Sequence, residues 1–385
     1  MHDQKMTMLD DLVVKIISYL PLKFVIQCKV LNKDFYARIS GPKFLQTLSQ
    51  RQKISTLISS LNRSVSETIH KISLNSVPAS HYFETTTLPV RINILAISKG
   101  LVLIDFNESK NFCILNPITG AHHLIRYPDR ASYCRLSVPG FIVDYPTSDH
   151  YMLVIASGIC EPFERDGYNF SVLSSELSGV WREIPLRMNI HEPFHLHVTK
   201  PVYVNDSFHW LRWKGGVLAF HTKKEKAIII DLPELTIMDY DNPFSREWLG
   251  VTHGLLTLVC TYEKFLVIAT YDYGSNEWSV SHSITIDFIM GLDYYNYCFP
   301  VWIDDSERVF FLVEYPWAHD HDSKINNYKI TADLKNCLGI FKYDFYAFAP
   351  TLASVHTRLS HVVHRKHLSS ITATLDELKR FIRES

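Results

Sequence analysis

Residues 8–44 of this 385-residue chain read MLDDLVVKIISYLPLKFVIQCKVLNKDFYARISGPKF and carry the signals of three successive helices. In the first, Leu12, Val13, Ile16, Ile17 and Leu20 recur at helical spacing on one face. Pro21 interrupts this pattern and suits the start of a second helix, because that position needs no backbone donor. Asn32 is a good N-cap for a third, and Leu31, Phe35 and Ile39 lie one turn apart, where they could close the core. The segment therefore predicts a small three-helix module.

This module is too small to bury all of its apolar side chains. Three helices within so few residues have little interior, so some of these side chains must face a partner protein. The candidates lie between the middle of the first helix and the end of the second. They are Leu12, Ile16, Leu20, Pro21, Leu22, Val25 and Ile26.

The same segment resembles the plant F-box. The matching residues are Asp10, Asp11, Leu12, Ile16, Leu20, Pro21, Lys23, Lys33, Tyr36 and Ile39, with Phe44 at the position of the phenylalanine that usually follows the box. Leu9, Val30 and Phe35 replace the usual proline, cysteine and tryptophan. The resemblance implies that the module binds a SKP-type adaptor through the seven candidate residues, and through that adaptor a cullin.

After Pro42 the chain passes through a serine-rich stretch into short apolar runs separated by turn residues, which predict β-strands. Among these runs are residues 101–106, 112–115, 217–220 and 255–260. Weak internal repeats occur. Residues 100–103 (GLVL) are echoed by residues 254–257 (GLLT), and Trp181, Trp210 and Trp278 stand near strand-like runs, where they could fix one sheet against the next. Repeated short antiparallel sheets favour a β-propeller of about six blades, with a β-sandwich pair as the alternative.

Four stretches of this half resemble the F-box-associated, kelch-like domain that follows the box in many plant proteins. They are SKGLVLIDFNESKNFCILNPITG (98–120), GFIVDYPTSDHYMLVIAS (140–157), VYVNDSFHWL (202–211) and YDYGSNEWSVSHSI (271–284). The expected fold is α+β and multidomain, with an all-β, propeller-like domain after the helices. The expected domains are an F-box at 1–50, a linker with the first strands at 51–94, the recognition domain at 95–355 and a tail with a short helix at 356–385.

Composition points to a folded protein whose partners are proteins. Hydrophobic residues make up 46% of the chain, and the net charge of −1 lacks the basic excess typical of nucleic-acid or membrane-surface binders. The 7 cysteines are scattered without a CxxC pair, which indicates free thiols in a reducing compartment, the cytoplasm or the nucleus. No segment approaches the roughly 20 apolar residues of a membrane span.

Searches for catalytic motifs favour a protein that is not an enzyme. The sequence has no P-loop, dinucleotide-binding glycine loop or GxSxG elbow. His195 with His197, and His319 with His321, could bind a metal from one strand face, but polar loop residues are the better interpretation, so neither a metal nor a cofactor is expected. The leading hypothesis is a substrate-receptor subunit of an SCF-type ubiquitin ligase. The alternatives are an enzyme on a propeller scaffold and an adaptor-bound scaffold without a degradation target.

Two further expectations concern the C-terminal half. Two aromatic segments are candidates for contact with an unknown target protein, through Tyr294, Tyr295, Tyr297, Tyr315 and Trp317. Thr374 to Glu377 fit a capping box, and the apolar stripe of Leu375, Leu378, Phe381 and Ile382 predicts a terminal helix packed on the body of the protein.

Overall fold

The structure, a computed structural model, describes most of the chain in segments. The described residues are 12–54, 56–60, 66–73, 83–106, 109–128, 138–158, 167–177, 179–187, 200–212, 216–233, 246–261, 265–285, 297–303, 309–314, 329–333, 346–355 and 365–383. They form a helical module, a succession of antiparallel sheets and a C-terminal helix.

The helical module contains four helices among its described residues. Residues 12–17 are helical (α1), and α2 Leu22–Lys29, α3 Lys33–Ile39 and α4 Pro42–Arg51 follow. The predicted N-cap of α3 is confirmed, since the Asn32 side chain accepts a hydrogen bond from the Phe35 amide at 2.8 Å. The prediction of three helices is one short. Pro42 is the first residue of α4, and α4 contributes its own apolar face to the module.

The core of the module joins all four helices to the far end of the chain. Its buried members are Ile17, Val25, Ile39, Phe44, Leu48 and Leu352. Leu352 lies more than 300 residues away in sequence from the helices it contacts. The module is therefore packed against a distant part of the chain and is not joined to the rest by a linker alone. Leu31, which the helical spacing placed inside with Phe35 and Ile39, is instead exposed, because it precedes the α3 N-cap.

Twenty-two strands are described. They are β1 Thr56–Ser60, β2 Ser66–Ser73, β3 Phe83–Ser98, β4 Leu101–Phe106, β5 Asn111–Leu115, β6 His122–Arg126, β7 Gly140–Val143, β8 Tyr151–Gly158, β9 Gly167–Ser174, β10 Arg182–Arg187, β11 Val202–Val204, β12 Ser207–Leu211, β13 Val217–His221, β14 Lys226–Ile230, β15 Arg246–Thr252, β16 Leu255–Thr261, β17 Phe265–Asp272, β18 Glu277–Thr285, β19 Tyr297–Ile303, β20 Val309–Glu314, β21 Lys329–Asp333 and β22 Tyr346–Phe348.

These strands form six blades in chain order. Blade 1 has the order β22-β1-β2-β3, and the C-terminal part of β3 continues into blade 2 with β4, β5 and β6. Blades 3, 4 and 5 are β7–β10, β11–β14 and β15–β18, and blade 6 is β19–β21, in which β21 runs parallel to β20. The expected boundary between residues 94 and 95 falls inside β3, so the first blade uses strands from the interval 51–94.

In each blade, the strand that begins the order given above is its innermost strand. From blade 1 to blade 6, these innermost strands contact one another in turn. β22 contacts β3, and β3, β7, β11, β15 and β19 follow one another in the same way. Such a series of innermost strands around a common axis is the arrangement of a β-propeller. Blade 1 joins the two ends of the chain, since β22 pairs with β1. The fold predicted from the sequence, helices followed by a propeller-like β domain, is confirmed.

The sequence echo of GLVL and GLLT reflects equivalent positions in two blades. Gly100 and Gly254 are each the second residue of a two-residue turn between the innermost strand and the second strand of a blade. Both residues of each turn have positive φ, as type I′ hairpin turns require, and Asn205-Asp206 make the same turn in blade 4. Turn chemistry of this kind sets the strand register of successive blades.

Three tryptophans link blades 3, 4 and 5 to the blade before each of them. The indole N–H of Trp181 donates to the carbonyl of Arg126 at 2.7 Å, and that of Trp278 donates to the carbonyl of Asp231 at 2.7 Å. Trp210, fully buried, donates to the carbonyl of Val138 at 3.0 Å, just before β7. The expectation that these tryptophans fix one sheet against the next is confirmed.

Replacing Trp278 by phenylalanine should lower the free energy of unfolding by about 1 kcal/mol, because an aromatic ring is kept while the indole N–H and its inter-blade hydrogen bond are lost. Urea denaturation of the full chain measures this as a lower midpoint. Val280→Ala, at an exposed position on the same strand, is the matched control and should leave the midpoint nearly unchanged. Equal midpoints for Trp278→Phe and wild type would show that the bond contributes nothing.

The C-terminal helix α5, Arg365–Arg383, packs against β3 and the core shared by blades 1 and 2. The predicted terminal helix is thus confirmed, and Leu375, Leu378, Phe381 and Ile382 are buried as expected. The predicted capping box is wrong, because the helix begins well before Thr374, which lies buried in its interior.

A buried lysine holds the end of this helix. Lys71 is fully buried, donates to the carbonyl of Phe381 at 3.0 Å, and pairs with Glu84 at 2.6 Å. Its ammonium also lies 4.6 Å from the centre of the Phe381 ring. A cation is favourable beside the negative end of a helix dipole, so this contact stabilises the docked position of α5.

Candidate functional site

The helical module carries a concentration of exposed apolar side chains, which we call the apolar surface. Among the described residues, eight of the fourteen large hydrophobic side chains that are exposed lie between residues 12 and 36. They are Leu12, Ile16, Tyr19, Leu20, Phe24, Val30, Leu31 and Tyr36. A small module that exposes this much apolar area is typical of a protein-binding site.

Helical periodicity divides α1 into two sides. Val13, Val14 and Ile17 pack on the core of the module, whereas Leu12 and Ile16, one turn apart, are 53% and 54% exposed. Helix residues four apart are neighbours on the surface, so these two side chains form one apolar ridge. This ridge can contact a partner because the residues at the other positions of α1 pack on the core of the module.

The seven residues that the sequence assigned to adaptor binding do not share one environment. Leu12, Ile16, Leu20 and Pro21 are exposed, and Leu22 and Ile26 are half-buried against the core of the module. Val25 is fully buried. Val25 can therefore support the surface only from beneath, while the exposed four can contact a partner directly.

Several other residues of the apolar surface were not among the seven assigned to adaptor binding. Tyr19, Phe24, Val30 and Tyr36 are all exposed, and Val30 is the most exposed of the large hydrophobic side chains. In the sequence these residues can be recognised as bulky apolar side chains that do not fall on the buried face of each helix. That signal is weak because a single exposed apolar residue is common on any protein surface.

Arg51 fixes one edge of the apolar surface. Its guanidinium lies 3.6 Å from the centre of the Tyr19 ring, and its Nη1 donates to the Ser18 hydroxyl at 2.5 Å. The Ser18 hydroxyl in turn donates to the carbonyl of Lys15 at 2.7 Å. These contacts tie the end of α1 to the end of α4 and hold the Tyr19 ring in place.

Residues 349–355, which we call the strap, connect the helical module to the propeller. Leu352 of the strap lies in the core of the module, and Ala353 and Val355 lie in the core between blades 2 and 3. The Thr351 hydroxyl donates to the carbonyl of Lys99 at 2.6 Å. The strap passes so close to Gly100 that a Cβ there would lie 2.6 Å from the carbonyl oxygen of Ala349.

Asn116 is the main polar anchor of the strap. This fully buried side chain donates from Nδ2 to the carbonyls of Thr351 and Ala353, at 3.2 and 2.6 Å. Its Oδ1 accepts from the amides of Ile118 and Thr119 at 2.9 and 3.2 Å. One side chain therefore satisfies the tight turn after β5 and two strap carbonyls at once.

A second connection runs through Asp149, in the turn between β7 and β8. Asp149 accepts from the amide of Ser354 at 3.1 Å and also from the Ser354 hydroxyl. Partial burial lowers the pKa of Lys29 in α2, and the nearby negative charge of Asp149 opposes that shift. Charge and hydrogen bonds thus link α2, the strap and blade 3.

All of these anchors lie at one end of the propeller. Lys99, Gly100 and Asp149 belong to turns that follow the innermost strands β3 and β7, and the strap follows the innermost strand β22. The helical module consequently covers the end of the ring at which the innermost strands finish. The opposite end, where those strands begin, does not face the helices.

Burial shifts the pKa of two side chains inside the propeller, Asp105 and His209. Burial raises the pKa of Asp105 to about 6, against hydrogen bonds from Tyr127 and Asn93 that favour its charged form. Burial lowers the pKa of His209 to about 4, and its ring nitrogens contact the carbonyl of Val202 and the hydroxyl of Tyr273. His209 is therefore neutral near pH 7 and joins blade 4 to blade 5.

Several sequence-predicted positions lie outside the described residues. Tyr294, Tyr295, Tyr315 and Trp317 are among them, as are the histidines at 195, 197, 319 and 321. Tyr297 is the first residue of β19, with its side chain outside the description. In the described segments, no group of three or more His, Cys, Asp or Glu is arranged to hold a metal ion. No helix there is long and apolar enough to cross a membrane.

No protein-family model matches the chain. Three proteins of Arabidopsis thaliana are similar to it. A putative F-box/kelch-repeat protein is 24% identical over 283 residues, which cover 60% of each chain. A putative F-box protein is 24% identical over 48% of this chain and 44% of its own, and an F-box protein is 22% identical over 74% of this chain and 80% of its own.

The matches to the first two relatives therefore span less than two thirds of those proteins. A solved protein from Lactobacillus plantarum is 11% identical, with a TM-score of 0.39 over 68% of this chain and 76% of its own. That structural similarity is too low to bear on the fold, which rests on the strand pairing. The resemblance to plant F-box proteins with a kelch-like domain is confirmed by the three sequence relatives.

Proposed function

We propose that this relative of the plant F-box proteins with a kelch-like domain is the substrate-receptor subunit of an SCF-type ubiquitin ligase. The helical module would bind a SKP-type adaptor and, through it, a cullin, while the propeller would bind a target protein. The receptor would act in the cytoplasm or the nucleus. The apolar surface is the observation that carries this proposal, because its exposed side chains need a protein partner to leave water.

The two ends of the propeller support a division of labour. The helices are anchored over the end where the innermost strands finish, so an adaptor bound to the apolar surface would leave the opposite end free. Tyr297, one of the residues proposed to contact the target, begins the innermost strand β19 at that opposite end. Adaptor and target would then bind the same molecule without competing for surface.

No residue of this chain has to act as acid, base or nucleophile in such a role. Tethering the target beside a charged conjugating enzyme raises the effective concentration of its lysines and makes the transfer nearly intramolecular. A rigid receptor does this best, since loose tethers dilute the effective concentration. The strap, with its contacts to both the module and the propeller, supplies that rigidity.

The test is to mix the purified full-length chain with a recombinant SKP-type adaptor and separate the products by size-exclusion chromatography. We expect a stoichiometric complex. Separate elution of the two proteins would overturn the proposal. Stabilisation of a specific protein in cells that lack this chain would distinguish a degradation receptor from a scaffold, and proximity labelling with proteasome inhibition would identify that protein.

A further inference from the structure

The helical module is strongly basic. Residues 12–54 hold eight lysines and arginines and a single acidic residue, Asp34. Residues 1–11 add one lysine and three aspartates, so the first 54 residues still carry five excess positive charges. Because the whole chain has a net charge of −1, the remaining residues are together acidic. A charge separation of this size between two parts of one chain points to a partner of opposite charge for the basic part.

Most of this positive charge is exposed. Lys15, Lys23, Lys33 and Lys43 all have exposed side chains. Within the described structure, none of these four ammonium groups forms an ion pair or a hydrogen bond with the protein. Their charges therefore contribute in full to the electrostatic field around the module.

Two of these lysines lie within the apolar surface. Lys15 stands three residues after Leu12 and next to Ile16, which places it beside the apolar ridge of α1. Lys23 directly precedes the exposed Phe24 at the start of α2. A partner that covers the apolar surface therefore also covers these two side chains.

Two further basic residues contact aromatic rings of the apolar surface. The guanidinium of Arg51 lies 3.6 Å from the centre of the Tyr19 ring, and the ammonium of Lys29 lies 5.8 Å from the centre of the Tyr36 ring. Such contacts hold a cation against an apolar ring. Basic and apolar groups are thus interleaved across the surface and are not separated onto different faces.

This interleaving favours a protein partner over a membrane or a nucleic acid. A helix that lies in a membrane surface separates its apolar face from its charged face. Nucleic acids are bound mainly through their phosphates, which would leave the exposed Leu12 and Ile16 in water. A protein surface can offer apolar and charged groups side by side, with an apolar centre and a polar rim.

The cost of desolvation indicates the charge of that protein surface. Covering the ridge of Leu12 and Ile16 removes water from the ammonium groups beside it, and a cation that loses water without gaining a partner costs free energy. A carboxylate opposite each ammonium offsets this cost, whereas a second cation would add repulsion. The apolar surface therefore fits a partner with carboxylates around an apolar centre.

We propose that the adaptor face which covers the apolar surface is acidic, with carboxylates opposite Lys15 and Lys23, and that these charges steer the adaptor onto the helical module. This inference rests on the proposed function and names the chemistry of the partner's binding face. The basic side chains would mainly set how fast the complex forms, and the apolar ones how long it lasts.

The test measures association and dissociation rates between the full chain and a recombinant SKP-type adaptor by surface plasmon resonance. Raising NaCl from about 50 mM to about 500 mM should lower the association rate constant at least ~10-fold and change the dissociation rate constant little. Lys15→Gln with Lys23→Gln should lower the association rate constant at low salt at least ~3-fold. Lys15→Arg with Lys23→Arg keeps both charges and should associate at the wild-type rate.

Lys110→Gln with Lys226→Gln is the matched control. Both are exposed lysines of the propeller, so this variant changes the net charge by the same amount outside the helical module. Its association rate constant should stay close to that of the wild type. Equal thermal midpoints of the two glutamine variants would show that both remain folded.

The possible failures can be told apart. If a complex forms but its association rate does not depend on salt, or if both glutamine variants lose equally, the inference is overturned and the proposed function stands. Salt-dependent binding to phosphatidylserine vesicles or to a DNA duplex, lost in Lys15→Gln with Lys23→Gln while adaptor association is unaffected, would assign these lysines to another partner and also overturn it. Absence of any complex would overturn the proposed function and this inference with it.

Discussion

Replacing Leu12 and Ile16 together by aspartate is expected to weaken binding to a SKP-type adaptor by about 100-fold or more. Burying one such side chain is worth about 1.5–3 kcal/mol, so two give about 3–6 kcal/mol. At about 1.4 kcal/mol per tenfold change in affinity, the lower figure already corresponds to about 100-fold. Calorimetry or surface plasmon resonance with a purified adaptor measures the effect.

The folded state should tolerate this change, because both side chains project into solvent and neither belongs to the buried core of the module. Circular dichroism and the thermal midpoint check this point. Leu177→Asp with Val180→Asp is the matched control, since it places the same charges on exposed apolar positions of blade 3. Full adaptor affinity in the Leu12 and Ile16 variant, or equal loss in the control, would contradict the assignment of the apolar surface.

Asn116→Ala is expected to reduce the free energy of unfolding by roughly 3 kcal/mol. The substitution leaves two strap carbonyls and two turn amides without their hydrogen-bond partner. Each buried unsatisfied group costs about 1–3 kcal/mol. Water that enters the space will recover part of this cost. Urea denaturation of the full chain measures the loss. Amide exchange should also become faster in α1–α4, because the strap completes the core of the helical module.

Asn111→Ala is the matched control, being the same substitution at the first residue of β5, the strand that Asn116 follows. The Asn111 side chain donates only to the nearby carbonyl of Ser109 among its described bonds, so its removal should cost less than about 1 kcal/mol. Equal stability of the Asn116 and Asn111 variants would show that the strap is not anchored through Asn116. Slow exchange in α1–α4 despite a lower stability would mean that the helical module does not depend on the strap.

The sequence predicted those strands best whose apolar residues stand out. The runs at 101–106, 112–115, 217–220 and 255–260 all lie within observed strands, because both faces of these strands are largely buried in blade interiors. Strand β2 (SETIHKIS) was not among the predicted runs, and β18 (EWSVSHSIT) was indicated only by the family resemblance of residues 271–284. Their many polar residues hide the alternation, and their place in the fold is set by pairing with neighbours rather than by their own composition.

The candidate site was predictable only in part. Helical spacing located the module and three of the eight exposed side chains of the apolar surface. It could not separate Val25, inside, from Ile16, outside, because the buried face is chosen by α4 and the strap. Asn116 could not be recognised at all as an anchor, since its partners lie more than 230 residues later in the chain. Local patterns carry no information about contacts of that range.

The pairing of β1 with β22 has a consequence for the synthesis of the protein on the ribosome. About 290 residues separate Thr56 from Tyr346, so at about 5–20 residues per second the first blade waits roughly 15–60 s for its last strand. Leu352, which completes the core of the helical module, emerges later still. A nascent or prematurely terminated chain thus exposes the unpaired edge of β1 together with a helical module whose core lacks Leu352. We expect such fragments to be captured by chaperones and to bind the adaptor poorly, so that in the proposed role only completed receptors would enter a ligase.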